Sequence, residues 1–247
     1  MKQNASYPNS PSHPALHEGG DKPALVQSLF NQLAPHYDKL NDVISLGLHR
    51  HWKRQACQSL QLVAGHTALD VCTGTGDLAA ILAKLVGERG QVLALDFSPA
   101  MLAVARQRWA SAYPQVVFTQ GDALALPYAD NLANGAVMSF GLRNVADTQT
   151  ALNELCRVVR RGGRVAILDT CPTPNLPGFK WYFKHLMPKL GQALSGQGDA
   201  YHYLNQSTEA FIPPQQLAQQ LELAGATKVE VRTLAMGAAM LVVGQVR

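Results

Sequence analysis

Three short stretches hold residues whose types and spacing suit one chemistry. Asp70-Val-Cys-Thr-Gly74-Thr75-Gly76-Asp77 combines an acid, a hydroxyl and two glycines. Glycines between a strand end and a helix start let the backbone come close to a ligand. The helix N-terminus beyond them adds unpaired N–H donors and a partial positive charge. Asp96 stands 20 positions after Gly76, where a carboxylate can grip both ribose hydroxyls. Gly121-Asp122-Ala123 follows a third strand-like run, and an acid there can accept from an adenine amino group. The three converge on an adenosine-shaped site.

More than one ligand fits that outline. Gly74-x-Gly76-x-x-Ala79 also matches the dinucleotide fingerprint, acid spacing included. A carboxylate at Asp70 repels a pyrophosphate, yet it can pair with the ammonium of an amino-acid tail, as in S-adenosylmethionine. No Tyr-x-x-x-Lys pair is present for hydride chemistry. The residues favour methyl transfer over a dehydrogenase, with a non-catalytic nucleotide-binding protein as the third reading.

Such a site needs a scaffold of alternating strands and helices. Ala68–Val71 reads as a short buried strand, Leu78–Val86 as a helix stopped by Gly87, and Val92–Asp96 as the next strand. Ser98-Pro99 is an N-cap followed by proline at the first helical position. Strands are expected at Val116–Phe118, Gly135–Phe140 and Val165–Asp169, with a helix over about Asp147–Val159 and a turn at Arg161-Gly162-Gly163. Lys228–Thr233 and Ala239–Val246 read as an antiparallel pair. The fold class is therefore α/β, a mostly parallel doubly wound sheet with an antiparallel terminal strand pair. Residues 1–22 read as a disordered tail and 23–247 as the domain, with a helical lid over 23–66 and a helical insertion on the substrate side over 172–212.

Composition narrows the class. The chain has 247 residues, 47% apolar and only 15% charged, with a net charge of +4. That charge is too small and scattered for a nucleic-acid footprint, and no run is long enough to span a membrane. Cys57, Cys72, Cys156 and Cys171 form no CxxC pair, which fits free thiols in a reducing, cytoplasmic setting and no metal site.

Longer motifs go further. Tyr37-Asp38-Lys-Leu-Asn41-Asp42-Val-Ile-Ser45-Leu-Gly-Leu-His49-Arg-His-Trp52, Phe140-Gly141-Leu142-Arg143-Asn144-Val145, Arg157–Asp169 and Tyr201-His-Tyr203-Leu204-Asn-Gln-Ser207 occur in that order. Together they closely resemble the ubiquinone/menaquinone-biosynthesis C-methyltransferase family. Asp169-Thr170-Cys171 departs from the family's usual Glu-x-Ser. The resemblance implies the seven-stranded class I methyltransferase fold and S-adenosylmethionine as methyl donor. It implies cofactor contacts at Thr75, Asp96, Asp122, Ala123 and Ser139, to which the physical reading adds Asp70, Gly74 and Gly76.

The acceptor it implies is a prenylated quinol methylated on a ring carbon, a demethylnaphthoquinol first and a ubiquinone-branch benzoquinol second. A phenol with pKa near 10 is scarcely ionised at neutral pH, so the enzyme must supply a base or a positive charge at the oxygen. Arg143 is the first candidate for that charge, against a plain salt bridge. Tyr37 and His49 are candidate proton carriers, against a polar network holding the lid. Asn41, Asn144, Tyr201 and Tyr203 are candidate substrate contacts. Phe179-Lys180-Trp181-Tyr182-Phe183-Lys184-His185-Leu186-Met187 mixes aromatics with cations as interfacial helices do, against an insertion helix roofing the ring site. Peripheral membrane contact and a homodimer are the remaining expectations about partners.

Overall fold

The computed structural model describes residues 22–172, 203 and 206–247. Residues 1–21 of the expected tail, Phe179–Met187 and Tyr201 lie outside the described residues, as does most of the expected insertion, while Lys22 already belongs to the first helix.

Three helices come first: α1 (Lys22–Leu33), α2 (Tyr37–Ser45) and α3 (His49–Ser59). The alternating unit follows as β1 (Thr67–Val71), α4 (Asp77–Val86), β2 (Gln91–Asp96), α5 (Pro99–Trp109), β3 (Val116–Gln120), β4 (Ala133–Ser139), α6 (Thr148–Val158) and β5 (Val159–Thr170). The chain closes with α7 (Pro214–Leu223), β6 (Ala226–Leu234) and β7 (Ala239–Val246). The strands form one seven-stranded sheet in the order β3-β2-β1-β4-β5-β7-β6. Only β7 runs against the rest, pairing antiparallel with both β5 and β6.

Ala68, Leu69 and Val71 of β1, like Ala136, Val137 and Met138 of β4, are fully buried on both faces. That is the signature of strands sandwiched between helix layers. The chain starts at β1, winds outward to β3, then crosses to β4 on the other side. The loops after β1 and β4 therefore diverge and leave a crevice at the C-terminal ends of the strands, the usual ligand position in such sheets.

Two stretches differ from the expectation. Arg161-Gly162-Gly163 does not end an element; it lies inside β5, which already begins at Val159. The pairing with β4 jumps from Ala133↔Val159 to Gly135↔Arg164, so the extra residues bulge out of the ladder. Gly163 fits there because a Cβ would lie 2.6 Å from the Asn134 carbonyl oxygen. The stretch 23–66 divides in two. Trp52, Ala56 and Cys57 put α3 into the apolar layer beneath β1, β2 and β7, whereas α1 and α2 reach over the crevice. No described helix is long and apolar enough to cross a membrane.

Candidate active site

The crevice forms a cavity, about 840 Å³ when the open solvent at its mouth is included. Its floor comes from strand ends: Cys72 and Gly74 after β1, Asp96 and Phe97 after β2, Asp122 and Ala123 after β3, Ser139 and Phe140 after β4. Its roof comes from Val26, Gln27 and Phe30 of α1 and from Tyr37 of α2. The roof is tied down, since Gln27 donates to the Phe97 carbonyl at 2.8 Å and Ser98 Oγ donates to Asn31 Oδ1 at 2.6 Å.

Asp96 is the hinge of the floor. Its Oδ2 accepts from the Gly74 N–H at 2.7 Å and its Oδ1 from the Ser98 N–H at 2.8 Å. Burial raises its pKa, and those backbone donors oppose the rise. Each oxygen keeps a further lone pair, and the residue lines the cavity, so ribose hydroxyls can still be bound. Asp122 is steadied by the Leu124 N–H at 2.9 Å. The Ser139 hydroxyl is buried, lines the cavity and has no hydrogen-bond partner among the described residues, which suits a ligand atom. A Cβ on Gly74 would meet only Tyr37 Cε1, at 3.6 Å.

The rest of the glycine loop works from below. Asp70 is 1% exposed and does not line the cavity. Its Oδ2 accepts from Thr73 Oγ1 at 2.5 Å, and its Oδ1 has no hydrogen-bond partner among the described residues. Burial pushes its pKa to about 7. Gly76, with φ +83, lies against Trp109, whose Cδ1 would be 2.7 Å from a Cβ. The Thr75 hydroxyl, expected on the cofactor, instead donates to Asp38 Oδ1 of α2 at 2.6 Å. Asp38 also holds Arg108, which reaches Asp77 at 3.0 Å. Asp77 holds the buried Lys53 at 2.9 Å. This acid–base chain latches α2 and α3 onto the loop and α5.

The substrate-side candidates part company. Tyr37 and Asn144 line the cavity. Burial raises the Tyr37 pKa against the opposing charges of Lys53 and Arg143, so at neutral pH its hydroxyl is a proton-bearing donor. Asn144 is fixed at both ends, its amide nitrogen donating to the Phe140 carbonyl at 3.2 Å and its oxygen accepting from Tyr203 Oη at 3.1 Å. Burial also raises the Tyr203 pKa. Asn41 stands beside Tyr37 with its own Nδ2 buried and unpartnered among the described residues.

His49 and Arg143 are not among the residues that line the cavity. His49 is 3% exposed, outside the cavity lining, with Nε2 2.9 Å from Asp42 Oδ1. Burial lowers its pKa, with Lys53 adding to the effect. It staples α2 to α3 and does not line the crevice. Arg143 forms a buried ion pair: Nη1 reaches Asp169 Oδ1 at 2.6 Å, the two side chains being 6% and 0% exposed. The same Nη1 donates to the Phe140 carbonyl at 2.8 Å. Arg143 thus stands behind the lining residues, and its charge opposes the rise that burial gives the pKa values of Tyr37 and Tyr203. Sequence reasoning gave Asp169 no role, nor Arg108 and Lys53. Their partners are 26, 70 and 24 residues away, so no local pattern marks them.

Comparison with known proteins completes the assignment. The model of the ubiE/COQ5 methyltransferase family matches residues 18–245. The chain belongs to that family. It is 41% identical over 233 residues to a demethylmenaquinone methyltransferase of Desulfitobacterium hafniense, covering 92% of each chain. It is 43% identical over 223 residues to a 2-phytyl-1,4-naphtoquinone methyltransferase of Thermosynechococcus vestitus, covering 89% of this chain and 98% of that one. Among solved structures, a SAM-dependent methyltransferase of Aquifex aeolicus aligns with a TM-score of 0.57 at 21% identity, over 91% of this chain and 98% of that one. The [4+2]-cyclase SpnF aligns at 0.65 and 15%, over 91% and 96%. These structural likenesses establish the fold alone. Family membership makes this ubiE/COQ5 protein a methyltransferase that uses S-adenosylmethionine.

Proposed function

We propose that the protein methylates a ring carbon of a prenylated demethylnaphthoquinol, demethylmenaquinol or its phytyl analogue, late in menaquinone or phylloquinone synthesis. The observation that carries this reading is the pair of relatives above 40% identity, both named for naphthoquinone-type acceptors. The benzoquinol of the ubiquinone branch is the alternative, because the family name spans both.

The cavity suits the methyl donor by its own polar atoms. Asp96 would hold the ribose, Asp122 and Ala123 the adenine, and the orphaned Ser139 hydroxyl a polar atom farther along. S-adenosylmethionine, when bound, supplies a methyl group already activated on a sulfonium. Asp70 answers the positive charge of that ligand from beneath the loop, its Oδ1 being without a hydrogen-bond partner among the described residues.

The chain's remaining task is to make a phenol ring nucleophilic. Tyr37 and Asn144 reach into the space beside Ser139 and are placed to hold the quinol oxygens. The buried Arg143 cation stabilises negative charge on a phenolic oxygen in a site where few waters screen it. Held by Asp169 and the Phe140 carbonyl, it needs little rearrangement when that charge appears. The roof of α1 and α2 keeps water out.

Purified protein given methyl-labelled S-adenosylmethionine should label a prenylated naphthoquinol and not a prenylated methoxybenzoquinol. Preferential labelling of the benzoquinol overturns the choice of acceptor; label in neither overturns the activity.

A further inference from the structure

The sheet edge at which the cavity opens carries three apolar side chains that the fold does not bury. Leu46 is 78% exposed, Leu48 45% and Met236 72%. Two of them also sit in a backbone conformation that opposes them. Leu46 (φ 51, ψ 36) and Met236 (φ 54, ψ 33) are left-handed, where glycine or asparagine is the ordinary occupant. At Leu46 the helix α2 ends with its N–H on the Asp42 and Val43 carbonyls, and the Gly47 N–H follows onto the Asp42 carbonyl. Glycine or asparagine would close that helix with less strain. Folding stability thus offers no reason for Leu or Met at either place.

Their shared edge follows from the topology. The far end of α3 lies near the start of β4, because Arg164, which pairs with Gly135 there, donates from Nη1 to the Ser59 carbonyl at 3.2 Å. The first turn of α3, and the Leu46-Gly47-Leu48 turn before it, therefore stand at the other end, where the cavity opens. Met236 lies between β6 and β7, beside Ala239, which pairs with Thr170 at the end of β5. Leu223 is as exposed but ends α7 at the opposite edge, where Ala226 pairs with Val246.

The charge around the turn is positive. Asp42 is committed to Arg50 and His49, and Asp38 to Arg108. Lys39 and Arg54 are exposed and have no carboxylate partner among the described residues.

We propose that this edge docks onto an anionic lipid bilayer, with Leu46, Leu48 and Met236 entering the interface and Lys39 and Arg54 facing the headgroups. Apolar anchors beside cations suit a headgroup boundary. Three side chains fall well short of the roughly 1,200 Å² that a stable protein interface buries. The docking takes its use from the proposed prenylated acceptor, since nine residues of α2, about 13 Å, separate the turn from Tyr37 in the cavity wall.

The test is vesicle flotation with phosphatidylcholine containing phosphatidylglycerol, against phosphatidylcholine alone. Wild type should float with the anionic vesicles. The variant L46N/M236N should bind at least about tenfold more weakly while melting no lower, because asparagine tolerates the left-handed backbone. The variant K39Q/R54Q should lose about fivefold per charge removed. With a water-soluble short-chain naphthoquinol, L46N/M236N should turn over like wild type; with a vesicle-borne acceptor it should slow. Wild type that does not float, or an asparagine variant that floats equally well, overturns the proposal. So does a wild-type dimer in sedimentation that the asparagine variant dissociates, since the edge would then belong to a second copy. Failed flotation with intact labelling of the soluble quinol refutes the docking alone. Failed labelling of every acceptor refutes the activity.

Discussion

Replacing Arg143 by methionine keeps its aliphatic bulk and removes the cation together with its hydrogen bond to the Phe140 carbonyl. Asp169 is then left at 0% exposure, with the Thr170 N–H at 2.8 Å and the Arg143 N–H at 3.3 Å as remaining donors. Breaking a buried pair in this way costs about 3–5 kcal/mol. For a domain of this size that is roughly 6–20 °C in melting temperature. Adding Asp169→Asn removes the stranded charge and should return about half of that loss. Thermal unfolding followed by far-ultraviolet circular dichroism reads both steps, and label transfer to the quinol is measured in parallel. R143M/D169N should melt midway between R143M and wild type and still fail to transfer label, which separates the catalytic field of Arg143 from its structural pairing. The reasoning is refuted if R143M melts with wild type, if the double variant is no more stable than the single, or if R143M retains turnover.

The Asp70 carboxyl has its pKa lifted from 3.8 to about 7. Its ionised form is therefore disfavoured in the folded state, and the ligand-free protein should lose about 4 kcal/mol between pH 4 and 7, then level off. Asp70→Asn should flatten that part of a denaturant-midpoint profile against pH. The same linkage predicts that donor binding near pH 6 releases a proton, visible as calorimetric heats that change with buffer ionisation enthalpy; identical heats in all buffers would contradict it. Gly76→Ala places a Cβ 2.7 Å from Trp109 at φ +83 and should abolish donor binding by calorimetry, with strain of about 1–3 kcal/mol appearing in stability. Asp38→Ala removes the acceptor for Thr75 and Arg108 and should speed donor dissociation by up to about tenfold in stopped-flow fluorescence, a lid effect absent from a variant of the distant Glu230.

Much of the site was legible because its signals are local. A short apolar run into Gly74-x-Gly76, and acids closing the next two strands, place their side chains without knowledge of the rest. The Ser98-Pro99 start of α5 is equally local, and Ser98 Oγ does accept from the Met101 N–H at 3.1 Å. What could not be read depends on which strands become neighbours. Arg143 meets Asp169 only because β4 and β5 pair through Ser139↔Leu168. Thr75 turns to Asp38 only because α2 folds back over the loop. His49 looked like chemistry because its residue type is, yet burial beside Lys53 and a bond to Asp42 make it a staple. The two glycines in β5 read as a turn because a bulge and a turn require the same residue type.

Quinones extracted from cells lacking this chain test the central claim most directly. The account predicts that a naphthoquinone missing its ring methyl accumulates, and that wild type restores the methylated form while Asp96→Ala does not. An unchanged naphthoquinone pool, or accumulation of a demethylated benzoquinone in its place, would contradict it.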